Sequence, residues 1–186
     1  AFVFEPIPGL YEDVTVFDFT SNYGTTIVTY NLSKSTLLKE KARDAHNIEI
    51  EGKEVYFSKK PGFFPEMMRE IIEKRKRYKQ ELKEKPDAIK QARSNAFKLL
   101  ANAAYGYQGF FGARYYCREA AAATAAFARR MIKEVIEKIN KNGFKVIYSD
   151  TDSIAFLTNK RSEKEVLKFL EKLNSELPGI MELELE

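Results

Sequence analysis

The sequence predicts an α+β fold: an antiparallel sheet covered on one face by helices, carrying a two-helix antiparallel insertion. Three observations predict it. Short apolar, β-branched and aromatic runs at 14–19, 144–148 and 154–157 read as strands. Two long stretches with helical spacing flank Pro86. The order of the whole is strand, helix, helical insertion, helix, hairpin, helix, strand, which calls for a sheet with helices laid over it. With 186 residues, 44% hydrophobic and 13% aromatic, the chain can bury a core, and one domain with an appended subdomain is expected.

Taken in order, Val14 to Phe19 is β-rich, and Ser21 to Gly24 turns into an apolar, β-branched stretch from Thr25 to Leu32 that reads as a short helix of uncertain type. The polar text from Lys34 to Lys60 holds one small hairpin around Gly52, between Ile48 and Ser58. Pro61, Gly62 and Phe63 mark a boundary. From Phe64 to Lys85, apolar residues at Met67, Met68, Ile71, Ile72, Tyr78 and Leu82 recur at helical spacing until Pro86 ends the run. Asp87 is placed to cap a second helix running to about Gly106, and the tight turn makes the pair a helical hairpin.

A glycine-rich aromatic crossing, Tyr107 to Tyr116, precedes a helix from about Arg118 to Asn142, with Gly143 as its terminator. Its run Ala120 to Ala126 offers a small face for close packing against a sheet. Phe144 to Leu157 then reads as a hairpin, Ser162 and Glu165 form a capping box for another helix, and a last strand follows Pro178 and Gly179. No internal repeat or low-complexity tract is present.

The net charge of +4 and pI near 9.0 suit an anionic partner only if the basic residues cluster. A single cysteine, Cys117, excludes an intrachain disulfide or a Cys-cluster zinc site and fits a reducing setting, as a buried or half-buried thiol. No apolar run approaches the roughly 20 residues of a membrane span, and no leader is visible, so a cytoplasmic protein without a membrane partner is expected. Both ends read as cuts through structure, as in a piece of a longer chain, a processed subunit or a trimmed form. His46, in polar surroundings, reads as surface decoration.

Asp150, Thr151 and Asp152 stand at the tip of an otherwise apolar hairpin. Two carboxylates one residue apart are costly unless a cation sits between them. Asp18 closes another apolar strand, and adjacent strand ends would bring three carboxylates within coordination distance, a set suited to Mg²⁺ and to a pair of such ions. Individually, Asp18 could cap the following helix and Asp150 to Ser153 could be an ordinary Asx turn. On the helical hairpin, Arg75 with Lys79 and Lys98 with Asn102 each share a helix face at i, i+4, a pattern fitting either a triphosphate or a solvated charged surface. Tyr105, before Gly106, is either a core aromatic at a helix end or a stacking partner for a base.

Three segments resemble the polymerase motifs of family B DNA polymerases, especially archaeal ones. Asp18-Phe19-Thr20-Ser21-Asn22-Tyr23-Gly24 resembles motif A, Lys98 to Gly106 motif B, and Tyr148-Ser149-Asp150-Thr151-Asp152-Ser153 motif C. The text from Glu5 to Tyr11 and from Tyr107 to Arg114 is similar too, so the resemblance covers essentially the whole chain. It implies a palm at residues 1–60 (with motif A) and 110–186 (with motif C), and a fingers hairpin at 61–109. It further implies two Mg²⁺ ions held by Asp18, Asp152 and the Phe19 carbonyl with Asp150 in support, and nucleotide contacts by Arg75, Lys79, Lys98 and Asn102. Tyr23 would stack under the sugar and exclude a 2′-hydroxyl, and Tyr105 would line the pocket for the nascent base pair.

The implied activity is template-directed transfer of a nucleotide from dNTP to a primer 3′-OH, weak or incomplete without thumb and exonuclease parts supplied by other segments or another chain. Its substrates would be dNTP and primer-template DNA, and its place intracellular and nucleoid-associated. The sequence departs from the family pattern at Asn22 and Gly24, where Leu and Pro are usual, and at Ala103, where Ser is usual. Pro to Gly removes a fixed φ and loosens the turn that aims Tyr23, while Leu to Asn removes an apolar contact or makes an exposed surface more soluble. A non-catalytic nucleic-acid or nucleotide-binding remnant with a degraded motif A is the alternative.

Overall fold

A computed structural model describes residues 3, 4, 6 and 8–186. Glu5 and Ile7, in the segment that resembles the family's text before motif A, lie outside the described residues. The elements in chain order are β1 (Val3–Phe4), β2 (Val14–Phe19), α1 (Asn22–Thr29), β3 (Leu37–Leu38), β4 (Ala45–Ile50), β5 (Lys53–Ser58), α2 (Phe63–Glu84), α3 (Ala88–Gly109), α4 (Arg118–Lys141), β6 (Lys145–Asp150), β7 (Ser153–Leu157), α5 (Glu163–Glu176) and β8 (Leu183–Leu185). Mixed helix and antiparallel sheet confirm the α+β class. The chain divides into two compact units, one of residues 1–22 with 127–186 and the other of residues 23–126. Residues 23–60 and 110–126, which the sequence-based division groups with the sheet, cluster with the helical hairpin.

In the first unit, five antiparallel strands run in the order β1-β6-β7-β2-β8. Side chains alternate between the two faces of a strand, so burying Phe17 and Phe19 of β2, at 0% and 1% exposure, turns Asp18 to the other face. Opposite Phe17, β7 contributes Ile154, and Phe156 follows on the same side. Phe17, Phe144, Phe156 and Phe169 of α5 form one aromatic cluster with ring centroids 4.8 to 6.3 Å apart. Alongside Phe169, α5 buries Val166, Leu170 and Leu173. The later turns of α4 bury Met131, Ile132, Val135, Ile136 and Ile139, the i, i+3, i+4 stripe of a core-facing helix.

A bulge between Val146 and Tyr148 shifts the register of β6 against β7. Val146 pairs with Phe156 and Tyr148 with Ala155, so the extra residue reverses the parity of everything after it. Ser149 thereby enters the core while Tyr148 and Asp150 turn to the open face. Without the bulge, Asp150 would point at the phenylalanines.

The second unit is built around the hairpin of α2 and α3. Its turn is Lys85-Pro86-Asp87, and Asp87 caps α3 by accepting the Lys90 N–H at 2.8 Å. Tyr78 stacks on Phe97 at 5.9 Å, and Lys90 pairs with Glu81 at 2.7 Å. The expected hairpin around Gly52 is present as β4 and β5, closed by Glu51 and Gly52 at φ 51° and 77°, the two positive values that a type I′ turn needs. Leu37 and Leu38 add a third strand that the sequence pattern is too short to announce.

Three local expectations are corrected and a fourth is met. The short helix expected here is α1, which begins at Asn22 inside the expected turn and buries Ile27 and Val28 at 0% and 4% exposure. α3 passes through Gly106 to Gly109: Gln108, fully buried, donates Nε2–H to the Leu32 carbonyl at 2.9 Å and anchors the extra turn. The alanine run of α4 meets the end of α3 within this unit, where Ala121 Cβ lies 3.6 Å from the place a Cβ on Gly109 would take. His46 is half-buried on β4 with its ring edge-on to Tyr30 at 5.5 Å, and burial holds its pKa below the ordinary value. The Gly143 terminator, at φ 82°, and the Ser162 to Glu165 capping box appear as expected, and Cys117 is a buried free thiol.

Truncating Phe156 to Ala should cost about 3–5 kcal/mol of stability, read as a lowered denaturation midpoint. Truncating Leu99, 71% exposed, should move stability by no more than about 0.5 kcal/mol.

Candidate active site

The open face of the five-stranded sheet carries the acids. Asp150 pairs with Ser153, Ser153 with Asp18, and Asp18 with Glu184, so one row across β6, β7, β2 and β8 holds three carboxyl groups and a hydroxyl. Glu184 escaped the sequence reading. Its signal was there: the alternation Glu182-Leu183-Glu184-Leu185-Glu186 puts every glutamate on the face opposite the buried Leu183.

Asp152 stands in the two-residue turn after Asp150. Its carbonyl accepts the Phe19 N–H at 3.0 Å, and its own N–H is given to the Asp150 carbonyl at 2.6 Å. Asp152 therefore does not return a bond to the Phe19 carbonyl. Phe19 can offer only that oxygen, since its side chain is buried on the opposite face. Thr151, a β-branched residue at φ 53°, holds the turn in the left-handed region, where such residues are strained. Its hydroxyl donates to Asp150 Oδ1 at 2.9 Å, and Ser153 Oγ donates to the Asp150 carbonyl at 3.2 Å.

Burial, and then the neighbouring Asp152, Glu186 and Glu184 carboxylates, push the Asp18 carboxyl up to about 6, against a pull downward from the Phe19 N–H. Burial also raises Asp152, with its own backbone N–H opposing and the Asp150 and Glu186 charges adding to the rise. Asp150 is exposed. Among the described residues no group of three or more His, Cys, Asp or Glu side chains lies close enough to hold a metal ion. The Asp152 charge raises Asp18 and the Asp150 charge raises Asp152, so Asp152 links the other two acids, and Asp150 also accepts the Thr151 hydroxyl. Two half-buried carboxylates that repel one another, beside a backbone carbonyl, are the hard oxygen donors that Mg²⁺ takes.

The nucleotide-contact candidates lie in the second unit. Tyr23 and Tyr105 stack face to face at 4.3 Å with 21° between ring planes. Arg75 and Lys79 lie on α2, and Lys98 and Asn102 on α3, two helices whose Tyr78 and Phe97 stack across the hairpin. Arg75 is half-buried; Lys79, Lys98 and Asn102 are exposed. Gly24 lies inside α1, so its role is space and not a loosened turn. A Cβ there would come within 3.3 Å of Met68 Cε and 3.4 Å of Ile72 Cδ1. Asn22 is 3% exposed, which removes the reading of it as a solubilising surface change, and Ala103 is exposed.

A carboxyl raised from 3.8 to about 6 holds its proton more tightly folded than unfolded. Its contribution favours the fold at low pH and is lost as pH rises from about 4 through 6. Asp18→Asn should therefore raise the melting temperature near pH 7, change it little near pH 4, and flatten the curve between them, as followed by circular dichroism.

The family described as DNA polymerase family B matches residues 1–186. DNA polymerase 1 of Pyrococcus abyssi (strain GE5 / Orsay) is 36% identical over 193 residues, covering 100% of this chain and 25% of the relative. DNA polymerase 2 of Aeropyrum pernix is 34% identical over 180 residues, covering 92% of this chain and 22% of the relative. The solved structure of the family B DNA polymerase from the hyperthermophilic archaeon Pyrobaculum calidifontis superposes with a TM-score of 0.76 at 34% identity, over 98% of this chain and 24% of that one. The chain thus spans about a quarter of the length of these relatives. Over that span, with its acids on one strand row and its match running from end to end, the chain belongs to DNA polymerase family B.

Proposed function

We propose that this chain is the palm-and-fingers part of a template-directed DNA polymerase that transfers a nucleotide from dNTP to a primer 3′-OH. The observation that carries the reading is the turn at Asp152 held against the end of β2 by the Phe19 N–H, which sets the Asp152 charge near Asp18, the two acids standing at positions that resemble motifs C and A. Asp18, Asp152 and the Phe19 carbonyl would hold two Mg²⁺ ions, with Asp150 in support. Bound there, the ions supply charge neutralisation for the attacking and leaving oxygens.

The chain's own side chains do the positioning. Arg75, Lys79 and Lys98 are cations suited to a triphosphate, and Asn102 adds an amide on the face of Lys98. Tyr23 would lie under the sugar and exclude a 2′-hydroxyl, and Tyr105, stacked on it, would line the pocket for the new base pair. Template sequence would be read by base pairing while protein cations grip backbone, so DNA binding would weaken steeply with salt. Thumb and exonuclease functions would come from segments beyond these residues or from another chain. A DNA substrate implies an intracellular, nucleoid-associated setting.

Primer extension with Mg²⁺ tests the reading. Asp18→Ala and Asp152→Ala should each lower the rate by several orders of magnitude, and extension that survives both sinks the assignment. Lys98→Ala should act chiefly on KM for dNTP. Mg²⁺ should raise the melting temperature of the unaltered chain and leave that of Asp18→Asn unmoved. Tight primer-template binding without turnover would support the binding remnant instead.

A further inference from the structure

A cavity in the helical unit is lined by none of the residues proposed to meet dNTP. It encloses about 360 Å³ and is walled by Phe63 and Phe64 at the start of α2 and by Tyr115 from the crossing between α3 and α4. Its volume falls within the roughly 300–1,000 Å³ of small-molecule sites. Tyr115 packs against Phe63 and Phe64 with centroids at 5.7 and 5.9 Å, and Phe63 stays 63% exposed, leaving an aromatic face open. Lys34 and Arg114 line the same cavity, Arg114 with its guanidinium 5.8 Å from the Tyr115 ring. Among the described residues neither has a carboxylate partner, and no described lining residue is acidic. Gly62, the cap of α2, is buried and gives its N–H to Asn31 Oδ1 at 3.0 Å, which fixes the start of the helix that carries Phe63 and Phe64.

Open aromatic faces with unneutralised cations at their edge select a planar ligand that carries negative charge. We propose that this cavity holds one unstacked nucleotide, its base against Phe63 and Tyr115 and its phosphate toward Lys34 and Arg114. Arg75 is twelve residues farther along α2 than Phe63, roughly 18 Å at 1.5 Å per residue, so a base held at Phe63 is not at the proposed triphosphate contact. The site stands whether or not the chain extends primers. The ligand can be a free nucleotide or one unit of a single strand, and both present the same base and phosphate.

Fluorescence anisotropy on the full chain with a labelled twelve-residue oligothymidylate, an abasic oligomer of equal length, thymidine 5′-monophosphate and inorganic phosphate tests the site. Phe63→Ala should weaken the oligothymidylate about tenfold or more and leave the abasic oligomer unchanged. Lys34→Gln and Arg114→Gln should weaken both and lower the logarithmic salt slope by about 0.7 each. Displacement of the oligomer by the monophosphate identifies a free nucleotide as sufficient; displacement only by a competing strand identifies a strand unit. Oligothymidylate binding indifferent to Phe63→Ala, or inorganic phosphate competing as well as the monophosphate, overturns the proposal. So does an oligothymidylate that fails to shield Arg114 of the unaltered chain from phenylglyoxal, a measurement that needs no variant to fold.

Discussion

Burial of Phe17 and Phe19 in a strand with a two-residue period is the constraint on which the candidate site depends. Because those rings occupy one face, the residue between them has only the other, and Asp18 is held there by the energy of its neighbours' burial. The same rule acts through β7, whose Ile154 and Phe156 leave Ser153 and Ala155 outward, and through β8, whose Leu183 leaves Glu184 outward. The bulge in β6 extends the rule to Asp150 by reversing parity after Val146. Four strands thus deliver their acids and hydroxyl to one row with no side chain needed to aim them.

That arrangement has an electrostatic cost. Asp18 faces Glu184 directly and feels Asp152 and Glu186 as well, a concentration of like charge that a fold selected for stability alone would dilute. Little nearby offsets it: the Phe19 N–H pulls Asp18 down, and no cation is among the groups that shift either Asp18 or Asp152. Strain adds to charge, since Thr151 holds the turn between Asp150 and Asp152 at a positive φ. Charge repulsion and backbone strain are thus stored together at these strand ends.

Much of this was legible in the sequence because it is written in short-range chemistry. Asp87, Gly143 and Ser162 with Glu165 declare their caps, and Pro86 and Gly52 declare their turns, each through contacts reaching only a few residues. What was hidden depends on distant partners. α3 outlasts Gly106 because Gln108 finds the Leu32 carbonyl. The bulge leaves no mark in composition, so the side to which Asp150 points could not be read from its run. Glu184 was visible in the alternating terminus, but only a partner strand shows that it faces Asp18.

Gly24 shows how one of these distant effects bears on the site. Read locally, a glycine beside Tyr23 means a looser backbone. In the fold it means proximity: α1 lies so close to α2 that Met68 and Ile72 occupy the space a Cβ would take, with the Ala101 carbonyl of α3 3.9 Å away. Both helices of the hairpin therefore press on the residue next to Tyr23, whose ring in turn stacks on Tyr105 of α3. A side chain at Gly24 would have to move Met68 or Ile72 before it moved Tyr23. The position of the Tyr23 ring is then set by the packing of the hairpin, with contact at Gly24 from Met68, Ile72 and the Ala101 carbonyl.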